Sequence, residues 1–207
     1  MSRVKGLISF EGIEGSGKST HVKFLAEYLR AKGHTVIETV EPGGTVIGNK
    51  IRALLLDPQN HMDPLAELLL YYSARAQHVR EVIYPALLRN AVVITDRFTD
   101  STVAYQGHAR GIDLSLIHTL NEVVVPDMKP WLTFLLDLDV EEGLSRNRDA
   151  GKVDRFEQET VDFHNLVRQG FHQIAREDPE RVKVVDASRS KEEVSGEIIR
   201  IIEEAWR

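Results

Sequence analysis

Cysteine is absent from the 207 residues, which excludes disulfides, thiolate metal sites and cysteine nucleophiles. An excess of basic charge is also missing, since 26 Lys and Arg face 32 Asp and Glu for a formal net charge of −6. Dedicated nucleic-acid binders carry the opposite balance, so no nucleic-acid partner is expected. Any anionic ligand must instead be held by local clusters of cations. No window approaches the roughly 18 apolar residues of a membrane-spanning helix, and Met1–Phe10 lacks the layout of a signal peptide. The expectations are therefore no membrane partner and a cytoplasmic location. Repeats, low-complexity tracts and linkers are absent too. What remains is 42% hydrophobic and 28% charged, an ordinary globular balance, and the length suits one domain over residues 1–207.

Short apolar strands alternate with helical patterns along the chain. Strands are expected at Gly6–Phe10, Thr35–Thr39, Ala91–Thr95, Trp131–Leu138 and Val182–Val185. Val22, Leu25, Ala26 and Leu29 share one face of a helix over Lys18–Ala31, with Gly33 placed to cap its end. Further helices are expected at Ile47–Leu56, from Asp63-Pro64 to Leu88 with a kink or break at Pro85, and at Ile112–Val125. Val140–Asn147, Thr160–Arg176 and Lys191–Trp206 complete the set. The alternation predicts an α/β three-layer fold, a five-stranded parallel sheet with helices on both faces. Ligands of such sheets bind beyond the carboxyl ends of the strands.

Gly12-Ile13-Glu14-Gly15-Ser16-Gly17-Lys18-Ser19 matches the P-loop pattern G-x-x-x-x-G-K-[ST]. Glycines let backbone N–H groups curl around phosphate oxygens without interference from Cβ atoms. Lys18 supplies a charge for the β- and γ-phosphates of ATP, the Ser19 hydroxyl suits Mg²⁺, and the helix starting at Lys18 turns its positive end to the same anion. Gly12, Gly15, Ser16, Gly17, Lys18, Ser19 and Thr20 are thus the nucleotide-binding candidates. GTPase motifs are missing, because Asn49-Lys50 continues as Ile51-Arg52. The third strand ends in Thr95-Asp96-Arg97, an acid suited to Mg²⁺ beside a cation suited to phosphate.

Glu41-Pro42-Gly43-Gly44-Thr45, Tyr72-Ser73-Ala74-Arg75, Asp96-Arg97 with Ser101, Ala104-Tyr105-Gln106-Gly107 and Asp154-Arg155 with Glu157-Gln158-Glu159 follow in order. This ordered set, from Ile8 through Ala187, resembles the thymidylate kinases, a family of P-loop nucleoside monophosphate kinases. The resemblance implies Mg²⁺-dependent transfer from ATP to thymidine monophosphate, in dTTP synthesis, by a homodimer. It implies that Tyr71 stacks on thymine, a contact worth about 1–3 kcal/mol where measured, with the hydroxyl tolerated if it points to solvent. Arg75, one turn on, would donate to the thymine carbonyl. Arg97, with Arg52 as second candidate, would grip the acceptor phosphate through the planar guanidinium fork. Ser101 and Gln106 are candidates for the thymine edge. Tyr105 would lie against the sugar, Glu14 would orient the acceptor side, and Glu41-Pro42 would border it with Pro42 in the cis form.

Arg146, Arg148, Lys152 and Arg155 cluster around Asp149-Ala150-Gly151, a mobile lid over about residues 146–157. The family has two arrangements, with a catalytic arginine either in the P-loop or in the lid. Gly15 and Ser16 fill the P-loop interior, so this chain resembles the lid-arginine type, with Arg146 and Arg155 the first candidates and Arg148 the third. The catalytic candidates are Lys18, Arg97, Glu14, Arg146 and Arg155, and the metal candidates Ser19 and Asp96. Two rivals stay open, another nucleoside or nucleoside monophosphate kinase and a nucleotide-dependent switch without an acceptor.

Overall fold

The structure, a computed structural model, describes residues 3–149 and 154–206. Five strands form one parallel sheet in the order β2-β3-β1-β4-β5. They are β1 (Arg3–Glu11), β2 (Val36–Val40), β3 (Val92–Asp96), β4 (Lys129–Asp137) and β5 (Val182–Asp186). Alternation along the strands loads both faces. Ile8, Phe10, Val92, Ile94 and Phe134 enter the main core with the apolar stripes of the helices α1 (Lys18–Ala31), α8 (Val161–Glu177) and α9 (Lys191–Trp206). Leu7 and Val93 face the other way, into a second core with Val79, Ile83, Ala86, Phe98 and Val125. A sheet buried on both sides needs near-continuous apolar strands, which these are.

The remaining helices are α2 (Val46–Leu56), α3 (Pro64–His78), α4 (Tyr84–Leu88), α5 (Thr99–Thr102), α6 (Leu114–Val124) and α7 (Val140–Asp149). Their ends obey local chemistry. Asp63 caps α3 by accepting from the Leu65 N–H, ahead of Pro64 in the first turn. Gly33, at φ 90°, closes α1 with its N–H on the Arg30 carbonyl and that of His34 on Leu29, a Schellman motif.

Pro85 neither breaks nor terminates the long helix. A π-helical stretch, Val79–Ile83, joins α3 to α4, and the Tyr84 N–H reaches back to the Val79 carbonyl. The widened turn accommodates a proline that lacks an N–H and crowds the preceding turn. Val103–Ala109 is π-helical as well and continues α5, so the segment between β3 and α6 is helical where the sequence pattern assigned no element. Its small and polar residues, Thr99-Asp100-Ser101-Thr102, carry little apolar periodicity and are all buried. The carboxyl ends of β1, β2 and β3 and the helices that follow them frame the main cleft.

Candidate active site

The cleft encloses about 580 Å³, bounded at one end by Lys18 and Ser19 and at the other by Tyr71, Arg75 and Gln106. The P-loop leaves β1 through Gly12 at φ 139°, where a Cβ atom would lie 2.5 Å from the Leu136 carbonyl oxygen. Gly15, at φ 73°, is tighter still, since its Cβ would meet the Gly143 carbonyl oxygen of α7 at 2.1 Å. No side chain fits there, which is the packing reason this loop contains no arginine at Gly15. Gly17 at φ 88° is the N-cap of α1, whose positive end faces the loop.

Lys18 folds over that loop, with Nζ donating to the Ile13 carbonyl at 2.7 Å, the Gly12 carbonyl at 3.1 Å and Ser16 Oγ at 3.3 Å. Burial, reinforced by the Arg97 charge, lowers its ammonium pKa to about 8. Gly12 and Ser16 are buried, while Gly15, Gly17, Ser19 and Thr20 line the cleft. Ser19 Oγ donates to Asp96 Oδ2 at 2.6 Å, so the two metal candidates are adjacent. Among the described residues no group of three His, Cys, Asp or Glu side chains is placed to hold a metal by itself. An oxygen pair of this kind suits Mg²⁺, which keeps several waters and shares its shell with phosphates.

Arg97 occupies the middle of the cleft. Its backbone is left-handed, at φ 71°, a strained conformation for a non-glycine residue and one that collects at functional sites. Nη1 donates to the Gly12 carbonyl and Ser101 Oγ, and Nη2 to Glu14 Oε1 at 2.9 Å and Tyr105 Oη at 3.0 Å. Tyr105 also donates to Glu14. Burial opposes the Glu14 charge, but Arg97, then His164 and Lys18, outweigh it and hold the carboxyl well below its usual range. Arg52 is placed on the cleft wall, donating to the Pro42 carbonyl at 2.8 Å, and the Glu41–Pro42 bond is cis.

At the far end the Tyr71 ring meets Phe156 edge-on, with centroids 6.3 Å apart. Tyr71 is half-buried and lines the cleft. Burial first, and then the Glu67 charge, raises its pKa above the ordinary range, and Arg97, Arg155 and Glu14 also act on it. Gln106 lines the cleft but donates to Glu67 Oε1 at 2.8 Å. Glu41 has both oxygens engaged, Oε2 with Arg75 at 2.7 Å and Oε1 with His78 at 2.9 Å. Its carboxylate therefore fixes Arg75, and a direct ligand role fits it poorly.

Arg155, unlike Arg146, does not line the cleft. It is 8% exposed, with Nη1 2.6 Å from Glu67 Oε2 and Nε donating to the Leu55 carbonyl. The buried Glu67 carboxylate needs a compensating cation, and Arg155 supplies it together with Arg110. Arg146 does line the cleft, donating to the Ala187 carbonyl and to Glu142. Arg148 is exposed on α7. Lys152 and the lid centre at 150–153 lie outside the described residues.

Sequence reading missed Glu11, Glu67, His78 and His164. Glu67, Tyr71, Arg75 and His78 are spaced by four, four and three on α3, so one polar helix face was there to be found. Glu11 ends a buried strand, and a carboxylate there needs partners. It accepts from the Phe98 N–H at 2.8 Å and Ser101 Oγ at 2.5 Å, and burial, then Asp100, raises its pKa to about 7.

A P-loop at the carboxyl end of the central strand of a parallel sheet, opening on a cleft that Arg97 also lines, defines the class of P-loop phosphotransferases. The family model described as "Thymidylate kinase" matches residues 10–198. A thymidylate kinase of Syntrophotalea carbinolica is 53% identical over 90% of this chain and 90% of its own. That of Halothermothrix orenii is 52% identical over 94% and 95%. The crystal structure of thymidylate kinase from Ehrlichia chaffeensis superposes with a TM-score of 0.77 at 38% identity, covering 95% of this chain and 97% of that one. The chain belongs to the thymidylate kinase family.

Proposed function

We propose that the cleft binds ATP over the P-loop and thymidine monophosphate between Arg97 and Arg75, in line for direct transfer. The enzyme is an ATP-dependent nucleoside monophosphate kinase that converts thymidine monophosphate to the diphosphate. The observation that carries the site assignment is the single cleft joining Lys18 and Ser19 to Tyr71, Arg75 and Gln106, with Arg97 between them.

The acceptor phosphate is already an anion, so no general base is required and catalysis reduces to positioning and charge stabilisation. Lys18 and the N-terminus of α1 hold the donor phosphates, with Gly15, Gly17 and Thr20 framing them. Ser19 and Asp96 would hold Mg²⁺, which when bound neutralises phosphate charge. Arg97 grips the acceptor phosphate with Arg52 beside it, while Glu14 and Tyr105 keep the Arg97 fork in plane at the sugar. Tyr71 stacks on the base, Arg75 donates to its carbonyl, and Ser101 and Gln106 border its edge. A lid over residues 146–157 brings a cation to the γ-phosphate, from Arg146 or Arg148, since Arg155 is tied to Glu67. The chain works as one domain, in the cytoplasm. It pairs into a homodimer through exposed Leu65 and Leu69 of α3 and Leu116 and Val123 of α6, two helices joined by the Leu68–Tyr72–Ile117 core.

A coupled ADP-release assay tests this reading across thymidine, deoxyuridine, uridine, cytidine, adenosine and guanosine monophosphates and thymidine itself. Strong preference for thymidine monophosphate, loss of turnover with chelator and recovery with Mg²⁺ are expected. A methyl group alone is worth about 1–3 kcal/mol, so some deoxyuridylate turnover should accompany it. Preference for a purine acceptor would overturn the base-pocket assignment.

A further inference from the structure

Arg75 is 2% exposed, and the protein uses one side of its guanidinium almost completely. Nε donates to Glu41 Oε2 at 2.7 Å, and Nη2 to the Phe98 carbonyl at 3.1 Å and Thr102 Oγ1 at 2.9 Å. Nη1 is buried without a partner among the described residues, and Arg75 lines the cleft. A buried charged donor left unpaired is costly, so a site that retains one is set to receive an acceptor from outside. Which acceptor it receives depends on the plane in which the guanidinium is held.

That plane is set through Glu41 by a residue outside the cleft. Glu41 Oε1 is 2.9 Å from His78 Nδ1, and His78 Nε2 is 2.6 Å from Thr39 Oγ1. His78 is 0% exposed, and Gly44 packs so closely on its ring that a Cβ there would lie 2.6 Å from Cδ2. The Glu41 carboxylate can only accept, so the proton between them sits on His78 Nδ1, while Nε2 faces the Thr39 hydroxyl.

We infer that His78 is a positioning residue for base selection, locking Glu41 so that Arg75 Nη1 presents its N–H groups along one fixed line to a pyrimidine carbonyl. The inference rests on the assignment of Arg75 to the base made above. A thymine carbonyl meets those donors. The amino group that cytosine carries at the same ring position opposes donor to donor. The relay Thr39–His78–Glu41–Arg75 therefore sharpens keto over amino recognition without any of its first three members touching the base.

The test uses the full-length enzyme and steady-state kinetics with thymidine and deoxycytidine monophosphates on the same preparation, so that the active fraction cancels from their ratio. His78→Gln removes the donor to Glu41, whereas His78→Asn carries an amide N–H near the Nδ1 position. His78→Gln is expected to raise KM for thymidine monophosphate about 10-fold and to lower the kcat/KM ratio of the two substrates about 10-fold, with KM for ATP unchanged. His78→Asn should stay within about 3-fold of the parent on all three measures. A uniform loss with both acceptors in His78→Gln would mark a merely structural role and overturn the relay. In ¹H–¹⁵N spectra His78 should carry a proton on Nδ1, and a ring protonated at Nε2 alone would equally overturn it. Arg75→Met separates the two readings. If it leaves KM for thymidine monophosphate unchanged, the base assignment itself falls. If it raises KM while His78→Gln does not, only the relay falls.

Discussion

Two buried carboxylates three residues apart respond to pH in opposite directions. Glu11 has its folded pKa raised to about 7 by burial and Asp100, against an ordinary 4.5. Between those values the folded protein holds a proton that the unfolded chain has released, so stability falls as pH rises from about 4.5 to about 7. The size is on the order of 3 kcal/mol. Glu14 is depressed, so its contribution is present above the unfolded value and is lost only as pH falls below it. The windows do not overlap. Denaturant unfolding at about pH 5 and about pH 7.5 should therefore show a decline that Glu11→Gln flattens. Backbone geometry is equally decisive at Gly15. Gly15→Ala meets both a left-handed φ and the Gly143 carbonyl at 2.1 Å, so it should destabilise by about 2 kcal/mol or more and lower kcat, read by thermal unfolding and ADP release.

At the scale of elements, Glu67 joins parts of the chain far apart in sequence. From α3 it receives Gln106 and Arg110 of the π-helical segment and its end, and Arg155 beyond α7. Arg155 also bonds the Leu55 carbonyl of α2, so the chain at Arg155 is anchored to both α2 and α3. Glu67→Ala leaves two cations without their buried partner and should cost about 3–5 kcal/mol, measured by chemical denaturation. Glu67→Gln should cost less and loosen the Phe156–Tyr71 end, appearing as a raised KM for thymidine monophosphate. The lid arginines are separable in the same way. Arg146→Ala or Arg148→Ala is expected to lower kcat by about 10³-fold or more with little change in that KM. Arg155→Ala should act mainly on stability.

For the molecule as a whole, the net charge of −6 sets solubility, and it is local cations that favour anions in the cleft, Lys18, Arg52, Arg75 and Arg97 among them. The exposed Leu69 and Val123 lie on two helices that share a core, and they are the apolar residues proposed for the dimer contact. Sedimentation should give a dimer for the parent chain and a monomer for a Leu69→Glu, Val123→Glu double variant. A double variant that still sediments as a dimer would move the interface elsewhere.

Much of this was legible in one dimension. Strand alternation and helix periodicity placed all five strands, because a doubly covered parallel sheet imposes apolar runs whatever surrounds it. The P-loop was legible because phosphate binding needs glycines and a lysine at fixed spacing along a single turn. Caps such as Asp63 and Gly33 were readable for the same reason, their partners being within a few residues. Sequence left undecided whatever depends on partners distant along the chain. The helix at Thr99–Ala109 is stabilised by its burial more than by its own pattern. Arg155 reads as a free lid cation until Glu67, 88 positions earlier, is found beneath it. His78 reads as one more helix histidine until the fold sets Glu41 and Thr39 against its two nitrogens. Local geometry is written in neighbouring residues, whereas a buried charge is assigned its role only by what the tertiary structure brings within hydrogen-bond distance.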